Sequence, residues 1–269
     1  MKIYKYWVTE KQNILIDGVE QAITCYGGSN SSEEDARVRA KEKAEKVKRK
    51  IKGEMHLFDE YEVEIREEIL QIIDDHSAIT RNRYGAQVLN TENLMILDID
   101  KPKSIGGGLA GLFKKKDTRP PKEQIFDAVR QLAVTPKYKE YGFRMYETYQ
   151  GERVIVSGRD FDPRAAETKR IMDEFHCDPL YMTICQKQSC FRARLTPKPY
   201  RMNMRRYKVP FPREGEDAEF QGWLAEYERE SRNYCVFKFI EQVGPRHAVS
   251  DAVHIHDEIT GANFRQPLA

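Results

Sequence analysis

Leu94-Met95-Ile96-Leu97-Asp98-Ile99-Asp100-Lys101-Pro102 is the stretch on which the reading of this chain turns. Four apolar residues without alternation imply a strand buried on both faces, and two aspartates end it. Side chains two apart on a strand share a face, so Asp98 and Asp100 project together, about 6.5 Å apart. Two carboxylates this close repel each other unless a cation lies between them. Mg²⁺ or Mn²⁺, held by one or two carboxylates together with substrate phosphates, answers that need. The plainer alternative has one aspartate capping the next turn and the other paired with a nearby lysine.

Outward from this strand, 81–90 reads as a neighbouring strand joined to it through the tight turn Asn90-Thr91-Glu92. On its other side the glycine-rich, apolar and basic stretch 104–116 suggests an inserted flexible loop, either a mobile lid or a site for a protein partner, with Leu109, Leu112 and Phe113 as anchors. Pro120-Pro121 precede a helix over 122–133, with Ile125, Phe126, Val129 and Leu132 on one face. A hairpin over 143–149 and 153–157 turns at Gln150-Gly151. A helix follows from Phe161-Asp162-Pro163 to Phe175, then strands over 181–185 and 191–195, a helix over 216–229, a strand over 234–240 and a polar tail. Upstream, 3–8, 14–17 and 21–26 read as a small meander with turns at 11–13 and Asp17-Gly18. Ser31 or Ser32, with Glu34 or Asp35 three residues on, makes a capping box for a helix over 33–52. Ile65, Ile69, Ile72 and Ile73 suggest a second helix. The expected class is α+β: a ββα module over 1–75, bounded at Asp74-Asp75, and a mixed core over 76–269.

The net charge of +2 conceals blocks of opposite sign. Residues 37–53 carry nine Lys or Arg against two Glu, and 54–75 carry nine Asp or Glu against one Arg. Residues 186–213 carry nine Lys or Arg and no acid; without them the chain has 36 basic and 43 acidic residues. Concentrated positive charge in an acidic chain recruits phosphate. Arg192 and Arg194 share a strand face, Lys198 and Arg201 follow the turn, and guanidinium forks bind phosphate oxygens bidentately. Tyr200, Tyr207 and Phe211 interleave aromatic faces that stack on bases. Arg37, Lys41, Lys48 and Lys52 on the basic helix are set to track a nucleic-acid backbone. The rival reading pairs these cations with the acidic block, or with a partner protein's acidic surface.

Leu97-Asp98-Ile99-Asp100 and Phe191-Arg192…Lys198 together resemble motifs of the archaeo-eukaryotic primase and primase-polymerase superfamily. The resemblance spans about 81–201 and implies an RRM-like core. It implies a metal-dependent nucleotidyltransferase acting on DNA or RNA, with a nucleoside triphosphate as substrate. Asp98, Asp100 and a third acid, Asp178 or Asp173, would hold two Mg²⁺ or Mn²⁺ ions. Arg153, Arg192, Arg194, Lys198 and Arg201 would hold the triphosphate or template. Arg153 stands where the family has a histidine. That departure motivates an alternative, a non-catalytic nucleic-acid-binding or assembly protein on the same fold.

Other signals are weaker. His254-Ile255-His256 puts two imidazoles on one face if extended, or forms a surface turn. His176 and Cys177 with Cys185 and Cys190 lack a Cys-x-x-Cys pair, so buried free thiols are expected. Five cysteines without regular spacing, no signal-peptide pattern at the start and no long apolar run suggest a reduced, cytoplasmic setting. No Gly-x-Ser-x-Gly or His-Glu-x-x-His is present, so hydrolases built on those motifs have no support.

Overall fold

A computed structural model describes residues 1–16, 19–53, 63–100, 119–213, 215 and 217–269. The inserted stretch 104–116, the Asp17-Gly18 turn and residues 54–62 of the acidic block lie outside the described residues. The chain opens with one long hairpin. Strands β1 (Tyr6–Ile16) and β2 (Val19–Ser29) pair antiparallel from Tyr6 opposite Ser29 to Ile16 opposite Val19. The turn expected at 11–13 lies within β1. Lys11-Gln12-Asn13 contains no glycine to force a reversal, and polar residues suit a ribbon with one wet face.

Helix α1 (Glu33–Ile51) starts at Ser32, whose side chain accepts from the backbone N–H of Asp35 at 3.1 Å. Ala36, Ala40 and Ala44 are its buried stripe. They pack on β2 at Gly27, where a Cβ would lie 2.0 Å from the carbonyl oxygen of Ala36 and 2.4 Å from the nitrogen of Ala40. Only glycine permits so close an approach.

Two four-stranded antiparallel sheets follow. The first contains β3 (Glu68–Ile72), β4 (Ser77–Arg81), β5 (Gln87–Thr91) and β9 (Phe191–Arg194), in that order. The second orders β10 (Phe237–Val243), β7 (Gly142–Thr148), β8 (Gly151–Ser157) and β6 (Met95–Asp100). In the second sheet β6, α2 (Pro121–Ala133) and β7 form a split β-α-β unit, with β8 between the two strands. The remaining helices are α3 (Ala166–Glu174), α4 (Pro179–Gln188), α5 (Ala218–Ser231) and α6 (Asp251–Thr260). One apolar core joins both sheets, from Ile79 and Leu89 through Met95, Ile96 and Leu97 to Phe143, Ile155 and Phe191. A smaller cluster gathers Met202, Phe220, Trp223 and Tyr227 beneath α5. The architecture is a mixed α/β fold of antiparallel sheets and helices.

Four expectations are corrected. Residues 68–72 form a strand, not part of a second helix: β-branched isoleucines favour a pleated surface, and β3 pairs with β4. Asp74-Asp75 lies in the turn of that hairpin. Residues 181–185 lie in α4, because Asp178 caps a helix whose first residue is Pro179, a strong start signal. The strands around Asn90-Thr91-Glu92 are not a hairpin pair, since β5 and β6 belong to different sheets. The chain's end is not a loose tail. Helix α6 buries Ala252, Val253 and His256, and Ala269 is buried too. His256 thus sits inside a helix, its Nδ1 2.9 Å from Oδ1 of Asp257. All five cysteines are free and buried. No helix among the described residues is long and apolar enough to cross a membrane.

Candidate nucleic-acid interface

Met95, Ile96 and Leu97 are fully buried, and Ile99 continues inward, so Asp98 and Asp100 emerge on the opposite face of β6. The outer edge of β6 is closed by the residues that lead into α4. The N–H of Asp178 donates to the carbonyl of Asp98 at 2.8 Å, and the N–H of Asp98 donates to Sγ of Cys177 at 3.3 Å. This brings a third carboxylate to the end of the strand. Burial, Asp98 and Asp178 all push the Asp100 carboxyl upward, against Lys198 and Arg153. Asp173, the other candidate, lies on α3 and pairs with Lys169.

Two of the three carboxylates already have partners. Arg153 is cross-strand from Asp98, and its Nη2 donates to Oδ1 of Asp98 at 2.8 Å. Oδ1 of Asp178 accepts from the N–H of Tyr181 at 2.7 Å, capping α4. Among the described residues no three His, Cys, Asp or Glu side chains stand close enough to hold a metal ion. Arranged in this way, the donors do not fit the two-ion centre that the resemblance implies: a buried guanidinium already occupies one oxygen of Asp98.

Asp98 and Asp100 open into a cleft of about 1500 Å³ between the β1–β2–α1 unit and the two sheets. Among the described residues ten Lys or Arg side chains line it against four carboxylates. Arg153, Arg192, Arg194, Lys198 and Arg201 are all among them, so the structure gathers the sequence-predicted basic residues around the aspartate pair. They are not equivalent. Arg192 is committed to Glu67 at 2.5 Å, the pairing with the acidic block that the rival reading anticipates. Arg194 has no carboxylate partner among the described residues; its Nη1 donates to the carbonyl of Thr196 at 2.9 Å. Burial, then Arg201 and Arg153, lower its guanidinium to about 10. Burial tends to raise the Tyr200 phenol, but Lys198 and Arg201 outweigh it and lower the phenol overall. In both groups neighbouring cations act to lower the pKa, and at Arg194 Asp98 opposes them only in part.

The basic helix contributes a face other than the expected one. Lys43, Lys46, Val47 and Lys50 line the cleft. Arg37, Lys41, Lys48 and Lys52 form a stripe roughly 180° away at 100° per residue. Arg37 pairs there with Glu33 and Glu34, and Lys48 with Glu45. The signal in the sequence was the flank of the alanine stripe that includes Val47. Pattern alone also missed Arg66, whose guanidinium lies 3.5 Å over the Tyr26 ring, and Arg83, which lies 4.8 Å over Tyr84. Both pairs line the cleft. No family model matches the chain, nor does any curated protein or solved structure.

Proposed function

We propose that the protein binds nucleic acid, with the sugar-phosphate backbone lying in the cleft between α1 and β9. One observation carries the reading: Arg194 is half-buried in the cleft, where Arg201 and Arg153 act on it, and among the described residues no carboxylate pairs with it, Asp98 offsetting its charge only in part. A cation cluster of this kind costs folding free energy through desolvation and self-repulsion, and an anionic ligand removes that cost. The arrangement agrees with the primase-polymerase resemblance, since the basic strand β9 and the aspartate-bearing strand β6 share one cleft. The split β-α-β unit carries Asp98 and Arg153, while β10 joins beside β7 and leaves β6 at the sheet edge, so an RRM-like core rests on the resemblance alone.

The test is retention of a labelled oligonucleotide over a salt series. Affinity falls linearly in log–log form, and Arg194→Gln with Arg201→Gln weakens it without lowering the melting temperature. Unchanged affinity in that variant removes the reading. A second reading, metal-dependent nucleotidyl transfer, is favoured by the joint influence of Asp98 and Asp178 on Asp100. It requires Arg153 to release Asp98. Nucleotide incorporation with Mn²⁺, lost in Asp98→Ala with Asp100→Ala, distinguishes it from binding alone.

A further inference from the structure

Arg153 combines two properties seldom found in one side chain. Its side chain is only 7% exposed, yet the residue lines the cleft. Nη2 is spent on Asp98, while Nε and Nη1 are buried and have no hydrogen-bond partner among the described residues. Packing holds the fork in place. The guanidinium lies 4.7 Å from the centre of the Phe237 ring, and that ring stacks on His256 with centroids 5.1 Å apart and planes at 13°.

A divalent ion beside twin aspartates does two jobs: it cancels carboxylate charge and it holds phosphate oxygens. Arg153 does the first through Nη2, and it serves the second by its fixed charge, since Nε and Nη1 lie out of reach of solvent. That charge is permanent, and the fork fits the carboxylate of Asp98. A histidine at the same position offers neither a fixed charge nor a fork.

We propose that Arg153 stands in place of a divalent ion at Asp98, so that the cleft grips phosphate without metal, through Arg194 and over the fixed charge of Arg153. This inference rests on the reading of the cleft as a phosphate-binding surface. It also departs from the metal-loaded centre that the resemblance implies.

Titration of MnCl₂ into the full chain, followed by calorimetry, tests it. Wild type and Asp98→Asn give the same isotherm. Arg153→Gln gains a site that takes Mn²⁺ at least about tenfold more tightly than wild type, and adding Asp98→Asn removes that site. EDTA leaves retention of a labelled oligonucleotide by wild type unchanged. A Mn²⁺ site in wild type that Asp98→Asn abolishes overturns the proposal, as does a folded Arg153→Gln variant that gains nothing. If Arg153→Gln fails to fold, the comparison of wild type with Asp98→Asn decides alone. Loss of oligonucleotide retention under all conditions would instead remove the nucleic-acid reading, and the Mn²⁺ isotherms would still report on Arg153.

Discussion

Arg192 Nη2 and Glu67 Oε2 lie 2.5 Å apart, joining β9 to the segment that enters β3. The same carboxylate oxygen accepts from the Thr80 hydroxyl at 2.6 Å. Both charged side chains are less than one-fifth exposed, so this pair is structural. Glu67→Ala leaves Arg192 buried without a counter-ion, which costs about 3 kcal/mol. Thermal unfolding should show a clear loss of stability, while oligonucleotide affinity does not fall because a cation has been freed. An unchanged melting temperature would assign Arg192 to ligand binding instead.

The two lysine stripes of α1 make opposite predictions. Lys46 and Lys50 line the cleft, whereas Lys41 and Lys52 point away from it. A lysine that neutralises one phosphate adds about one to the salt slope, so Lys46→Gln with Lys50→Gln should lower the slope by about two. Lys41→Gln with Lys52→Gln should leave the slope where it was. Equal effects from the two double variants, measured by anisotropy across a salt series, would mean that α1 contributes only a diffuse charge.

Much of this site was legible before the fold was known. The unbroken apolar run before Asp98 identified the buried strand, and strand periodicity put Asp98 and Asp100 on one face. Ser32 and its acidic neighbours marked the start of α1, and Gln150-Gly151 marked the β7–β8 turn. Tertiary partners were not legible. Nothing local distinguishes Arg192, which finds Glu67, from Arg194, which finds no carboxylate, although they sit two residues apart on one strand. Nor does the spacing of isoleucines over 65–73 separate helix from strand; β4 decides it by offering an edge. The face of α1 that meets the cleft depends on where Gly27 lets the helix settle.

That last dependence has a direct test. A methyl group at position 27 would overlap the backbone of α1 at both Ala36 and Ala40. Backbone cannot swing aside as a flexible side chain can, so the helix must lift from the hairpin. Gly27→Ala should cost about 1–3 kcal/mol. It should also weaken oligonucleotide binding, because Lys43, Lys46 and Lys50 move with the helix. Urea unfolding and anisotropy on one preparation report the two effects. Lost stability with unaltered binding would show that the position of α1 does not matter to the cleft.

Glu152 lies on the opposite face of β8 from Arg153, next to it in sequence and opposite in chemistry. Only 1% of it is exposed, neither carboxylate oxygen has a hydrogen-bond partner among the described residues, and its cross-strand neighbour on β7 is Glu147. Lys122 pairs with Glu147 at 2.7 Å, and Arg130, itself bound to Asp127 and Glu241, acts on Glu152 only at a distance. Burial pushes the Glu152 carboxyl from 4.5 up to about 8, with Glu241 adding to the rise and Arg130 opposing it. Between those two values the folded chain holds a proton that the unfolded chain has lost. The stabilisation is therefore complete below about 4.5 and lost as the pH climbs through about 8. Glu152→Gln removes the titration while keeping the shape. The variant's stability relative to wild type should then rise between pH 5 and pH 8 by about 2–4 kcal/mol. Urea unfolding at the two pH values isolates this contribution, because any fixed cost of burying the amide cancels in the difference. Parallel stability curves for the two proteins would mean that Glu152 ionises in the folded state with a hidden counter-charge.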